Sequence, residues 1–305
     1  MRLVVDTDGA SDDAAALLMA ASSPDLVAVT VTAGVVDVDQ AVHNTLVILD
    51  VAGRADVPVF GGAQRSLTGR PFPSAEEVHG PGGLGGHQFS TMRVADPSPA
   101  VDALDRYLGP GDTLVTLGPL TNVAAALVRG SGLADRGIRV VAMAGAQDGV
   151  GNITAVAEYN VFCDPEAAAG VLASGVDVTI VGWDVSRRHA VIGEHERSRL
   201  GAVGSAPAKF LLDVNGVLDR FCRETQGLDG YDLPDAAAMA VALDPTIVTR
   251  SARLPVAVET AGHHCRGMTV VDHRPGMTSG SMATVIWSID HERFVDALIA
   301  AVGGS

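Results

Sequence analysis

The chain has 305 residues, 47% of them apolar, with mean hydropathy +0.27, so it has the length and apolar content to bury a sizeable core rather than remain disordered. Its formal charge of −15 and pI near 4.8 argue against nucleic-acid and anionic-membrane partners, which need a basic surface. No apolar run approaches the ~18 residues of a membrane-spanning helix, and the start, Met1-Arg2-Leu3-Val4-Val5-Asp6, has neither the apolar core nor the cleavage site of a secretory leader. Cys163, Cys222 and Cys265 are widely spaced and form no CxxC, which disfavours a disulfide framework or thiolate zinc and predicts a reducing cytoplasmic location.

Short β-branched runs alternate with Ala-rich helical stretches, the pattern of βα units around a mostly parallel sheet. The first strand, Leu3-Val4-Val5, precedes a helix from about Ser11 to Ser22. Leu26 to Thr32 reads as a buried strand, Asp39 to Ala52 as its return helix, and Val57 to Phe60 as a short strand. Gly61 to Gly86 is a long Gly- and Pro-rich excursion containing His79-Gly80-Pro81-Gly82-Gly83, and loops of that length in compact domains are often lids. Thr113 to Leu117 is a strand leading into a helix at Leu120 to Val128. Val140 to Ala144 and Val178 to Val181 are further strands, separated by the helix Pro165 to Ser174. The segment 186–233 is more helical and more charged, and reads as a cap on a single domain spanning 1–305. The expected fold is therefore α/β: an open, mostly parallel sheet flanked by helices, with a helical cap segment.

Asp6, Asp8, Asp12 and Asp13 follow the first strand directly, where ligands bind in open α/β sheets. Four carboxylates this close must share protons or a cation. With no cysteine or histidine at ligand spacing, an all-oxygen site for Ca²⁺ or Mg²⁺ is expected. Ser11 as a helix cap, with Asp12 and Asp13 in the first turn, accounts for two of the four acids but leaves Asp6 and Asp8 unexplained.

Asp6-Thr7-Asp8-Gly9 resembles the DxDG start of haloacid-dehalogenase-type Mg²⁺ phosphatases, but the single lysine, Lys209, does not fit that family. The whole string Asp6-Thr7-Asp8-Gly9-Ala10-Ser11-Asp12-Asp13 more closely resembles the DxDxxxDD motif of the inosine–uridine-type nucleoside hydrolases. Four further segments agree in order. They are Leu117-Gly118-Pro119-Leu120-Thr121-Asn122, Gly151-Asn152 through Glu158-Tyr159-Asn160, Asp235-Ala236, and Arg266-Gly267-Met268-Thr269-Val270-Val271-Asp272.

The resemblance implies Ca²⁺-dependent hydrolysis of the N-glycosidic bond of ribonucleosides by a homodimer or homotetramer. Carried over by position, Asp8, Asp13, Asp235 and the Leu117 carbonyl would hold Ca²⁺, and Asp8 would deprotonate the attacking water. Asp12, Asn152, Glu158 and Asn160 would grip the ribose. If Glu158 and Asn160 lay on a strand they would share one face. The sequence departs from the family pattern at Val35, which follows Ala33-Gly34 where Asn is usual, at Gly82 in the flap, and at Pro234 where several members have His. These departures keep open a binding-only paralogue, and leave the leaving base to His79 on the flap or to stacking by Trp183 or Tyr231. Asn44 reads as structural.

Overall fold

The computed structural model describes residues 1–130, 132–277 and 280–303. Its strands are β1 (Leu3–Thr7), β2 (Leu26–Val31), β3 (Val59–Gly61), β4 (Thr113–Thr116), β5 (Arg139–Met143), β6 (Asp177–Val181), β7 (Val191–Ile192), β8 (Tyr231–Asp232), β9 (Val248–Val258), β10 (Thr269–Val271) and β11 (Ser281–Ile289). Nine of them form one sheet in the order β10-β9-β11-β6-β5-β4-β1-β2-β3. The run from β11 to β3 is parallel, and β9 and β10 extend it antiparallel at one edge.

Helices cover both faces, so central strands are apolar on both sides. In β1, Leu3 and Val5 enter one core, which includes the helices Ser11–Ala21 and Pro234–Leu243. Val4 enters the other, with the helices Ala100–Tyr107, Thr121–Val128 and Pro165–Ala173. From β1 the chain winds outward through β2 and β3; from β4 it winds the other way through β5 and β6. The crevice between the carboxyl ends of β1 and β4 is therefore the topological switch point, where open α/β sheets bind ligands. Asp8 follows β1 there, and Leu117 follows β4.

Most expected elements fall within a residue or two of the observed ones. The third strand starts later than expected because Pro58 has no N–H for the ladder and Val57 closes a turn on Arg54. Glu158 and Asn160 do not share a strand face. Glu158 caps the helix Tyr159–Cys163 by accepting from the Asn160 and Val161 amides. The segment 186–233 packs helices against Ser11–Ala21 and the last helix, His291–Gly303, and sends only one corner to the switch point. Among the described residues no helix is long and apolar enough to cross a membrane.

The β1 end is braced from behind. The Asp6 carboxylate accepts from Thr30 Oγ1 (2.6 Å) and Asn122 Nδ2 (2.8 Å), and Asn122 Oδ1 accepts from the Ala63 amide (2.9 Å). Asn122→Ala removes one donor to a buried carboxylate and strands a backbone amide. It should cost about 1–3 kcal/mol in urea unfolding, whereas a neutral result would mean that water replaces the brace.

Candidate active site

Gly9 lies at φ +70°, and a Cβ there would meet the Ala41 carbonyl oxygen at 2.6 Å, so the chain leaving β1 turns tightly against the helix Val38–Val51. Ala10 occupies the cap position of the next helix, and Asp13 accepts from its amide (2.8 Å). Ser11 is thus the first helical residue rather than the cap, and its hydroxyl is 3.0 Å from His79 Nδ1.

Asp8, Asp12, Asp235, Glu158, Asn160 and Asn152 line one cavity, joined by the Leu117 position, His79, Tyr159, Phe221, Gln226 and Pro234. Asp13 lies just behind the wall, hydrogen-bonded to Thr7 and within reach of the Asp8 carboxyl. Asp12, Asp13 and Asp235 each offer a carboxylate oxygen within 4.8 Å of the others. Asp8 Oδ2 accepts from the Val35 amide (3.1 Å), so the backbone donates a hydrogen bond although Asn is absent there. Gly34 is obligatory: a Cβ would lie 2.0 Å from Asp8 Oδ2.

Glu158 accepts from the amides of Gly145 (2.8 Å) and Asn160 (2.7 Å). Asn160 Nδ2 donates to the carbonyls of Leu117 (2.8 Å) and Met143 (3.1 Å), holding the ends of β4 and β5 together. Asn152 is exposed at the mouth, where its Oδ1 accepts from the Tyr159 amide (2.8 Å). Pro234 stands on the cavity wall at the first position of its helix, offering no donor.

Two expected wall residues lie elsewhere. Tyr231 is fully buried in the core, and Trp183 is buried outside the cavity lining, with Arg187 stacked on its ring at 4.8 Å. The rings at the cavity are Tyr159 and Phe221. Phe221 and Gln226 flank the π-type turn Cys222–Gln226, which no motif marks in the sequence, although such turns recur at functional sites.

Burial dominates the electrostatics. It raises Asp6, Asp12 and Glu158 to about 7 and Asp13 to about 6. Asp8 and Asp235 are raised well above the carboxylate range by burial and then by the neighbouring aspartates. Burial also lowers His79 to about 4, so it is neutral at pH 7 rather than titrating near 6.5 as an unperturbed imidazole would. Among the described residues no Lys or Arg lines the cavity. Crowded, buried carboxylates with no Lys or Arg partner, beside the Leu117 carbonyl, fit a hard divalent cation.

The fold and this cavity define an α/β enzyme whose carboxylate-rich site sits at the sheet's switch point. Residues 3–296 match the family described as inosine-uridine preferring nucleoside hydrolase, and the chain belongs to that family. A curated relative from Shewanella woodyi, named pyrimidine-specific ribonucleoside hydrolase RihA, is 37% identical over 304 residues, covering 97% of this chain and 96% of the relative. One from an Enterobacter species with the same name is also 37% identical, with the same coverage. Among solved structures, a plant nucleoside hydrolase aligns with TM-score 0.92 at 31% identity, covering 100% of this chain and 99% of its own. A purine-preferring ribonucleoside hydrolase from Gardnerella vaginalis aligns with TM-score 0.89 at 31% identity, covering 99% and 98%. The protein is a nucleosidase acting on N-glycosyl bonds, and its family is metal-dependent. Membership in this family sets aside the phosphatase reading.

The raised carboxyl groups make a stability prediction. Asp6, Asp12, Asp13 and Glu158 keep protons in the folded state that unfolded carboxyls, with ordinary values of 3.8 and 4.5, release. Stability of the metal-free protein therefore falls as pH rises from about 4 to about 7. His79, lowered to about 4 from 6.5, acts in the opposite direction over that window, one group against four. The chelated protein should melt lower at pH 8 than at pH 5, and a divalent cation at pH 8 should restore the loss. Equal melting at both pH values would contradict this electrostatic picture.

Proposed function

We propose that the protein hydrolyses ribonucleosides to ribose and free base with Ca²⁺ as its cation. The observation that carries this reading is the convergence of Asp8, Asp12, Glu158, Asn160 and Asp235 on one cavity with no Lys or Arg among its described lining residues. Asp8, Asp13, Asp235 and the Leu117 carbonyl would hold the ion. The oxygen-only donor set favours Ca²⁺ over zinc. Bound there, a Ca²⁺ ion would offset the carboxylate charge and make a nearby water more acidic.

Asp8, already held on one oxygen by the Val35 amide, takes the proton from the attacking water. Asp12 receives hydrogen bonds from the ribose hydroxyls, Glu158 and Asn152 bound the sugar on its other side, and Asn160 positions the Leu117 carbonyl. As the C–N bond breaks, positive charge develops on the sugar ring, and the surrounding carboxylates stabilise it.

His79, neutral in its buried position, meets the departing base as a hydrogen-bond donor rather than as a resting acid. Stacking falls to Tyr159 and Phe221 in place of Trp183 and Tyr231. Relatives are named for pyrimidine specificity and solved neighbours for purine preference, and a flap donor with aromatic walls serves either base class. Assembly as a homodimer or homotetramer in a reducing cytoplasm completes the proposal, in keeping with three free cysteines.

Ribose release from a panel of purine and pyrimidine ribonucleosides tests the core of the reading. Activity should vanish on chelation and return with Ca²⁺; full activity after chelation, or return with zinc alone, would overturn the choice of ion. If Asp12 reads the ribose diol, 2′-deoxynucleosides should lose about 100-fold or more in kcat/KM, because a site built for a hydroxyl leaves polar groups unpaired when it is missing. Equal turnover of both sugars would remove Asp12 from that role.

A further inference from the structure

Asn44 sits nearly two turns into the helix Val38–Val51, almost wholly buried, and none of the roles above uses it. Its Nδ2 donates to the Gly9 carbonyl (2.8 Å) and to the Gly82 carbonyl (2.8 Å), and its Oδ1 accepts from Gln40 Nε2 (2.8 Å). Gly9 lies between Asp8 and the Asp12–Asp13 pair. Gly82 lies three residues beyond His79 on the flap. The two hydrogens of one amide thus join the backbones of two loops that share no chain continuity. The other side of Gly82 is held as well, since its amide donates to Glu76 Oε1 (2.6 Å). The turn closes on itself through the Gly85 amide, which donates to the His79 carbonyl (2.8 Å). At the ring, His79 Nδ1 is 3.0 Å from Ser11 Oγ and 3.4 Å from Asp12 Oδ1.

We propose that Asn44 is a positioning residue for the hydrolysis, setting His79 against the Asp8–Asp12 loop by clamping Gly9 and Gly82 together, with Glu76 closing the flap turn from its exposed side. The inference rests on the reading of His79 as the group that meets the leaving base. An amide is required because the position must supply two donors at once. Aspartate has the same shape and supplies none, and leucine supplies neither donor nor acceptor. Misplacement of a group by about 1 Å is enough to cost up to 100-fold in rate, so a loosened flap should be visible in turnover.

The test compares Asn44→Asp, Glu76→Ala and His79→Ala in the full-length protein supplied with its divalent cation. Two readouts are taken: hydrogen exchange of flap amides in residues 76–89, and kcat on a natural nucleoside against p-nitrophenyl riboside, whose leaving group needs no help. Asn44→Asp should speed flap exchange by roughly 10-fold, a local opening, while leaving amides of β4 and β5 protected. It should lower kcat on the natural nucleoside by about 10-fold or more and change the nitrophenyl substrate by less than about two-fold, with KM nearly constant. Glu76→Ala, at an exposed position, should move both readouts the same way by a smaller factor, and it carries the test if Asn44→Asp does not fold. Unchanged flap exchange in whichever of these two variants folds, or equal losses on both substrates, would overturn the clamp. Faster flap exchange in Asn44→Asp with His79→Ala silent on both substrates would instead retain the clamp's hold on the flap and overturn the reading of His79.

Discussion

The structure depends on one electrostatic constraint: several buried carboxylates crowd the switch point between β1 and β4, and no Lys or Arg among the described cavity walls balances them. Such crowding is unfavourable by itself, and burial pushes each group toward its protonated form. The surrounding architecture is arranged around keeping these groups in place. Asp6 is held on Oδ1 by Thr30 and Asn122, Asp13 by Thr7 and the Ala10 amide, and Asp8 by the Val35 amide. Gly34, lacking a Cβ, leaves room for the Asp8 carboxylate where it sits. A divalent cation is the simplest remaining source of balance, and the metal dependence of the family agrees with it.

On the role proposed for His79, the rest of the cavity serves to place a donor beside the departing base. Pro234 contributes shape only, and His79 is neutral because desolvation outweighs its acidic neighbours Asp13 and Asp232. The ring is held in place. The ring rests against Ser11, and the backbone that carries it is tied to the Asp8–Asp12 loop through Asn44. A short flap rich in glycine would otherwise dissipate that placement in backbone freedom. The long excursion over 61–86 is accordingly well tied, with the Ala75 amide on the Val35 carbonyl and the Tyr159 hydroxyl on the Pro73 carbonyl (2.5 Å).

Features built from local sequence were legible in advance. The strand–acid–helix string at Asp6–Asp13 carries its own periodicity and chemistry, and the βα alternation through β6 follows from short apolar runs buried on both faces. Features set by tertiary packing were not. The antiparallel strand β9, beside the edge strand β10, interleaves Arg250 and Arg253 with small residues in its first half and carries Pro255 within its apolar second half, so no ordinary strand pattern marks it. Glu158 reads as a strand residue until its carboxylate is seen to cap a helix. Tyr231 looked available for stacking because nothing local distinguishes a core tyrosine from a wall tyrosine, whereas Tyr159 and Phe221 reach the cavity through a cap and a π-type turn. Asn44 reads as an ordinary helix residue because its two acceptors lie 35 and 38 positions away.

The most direct test of the account is a crystal structure of the protein grown with Ca²⁺ and ribose. The account predicts one Ca²⁺ among Asp8, Asp13, Asp235 and the Leu117 carbonyl, with the sugar's diol on Asp12. A cavity holding the sugar but no ion, or an ion bound away from these oxygens, would contradict it.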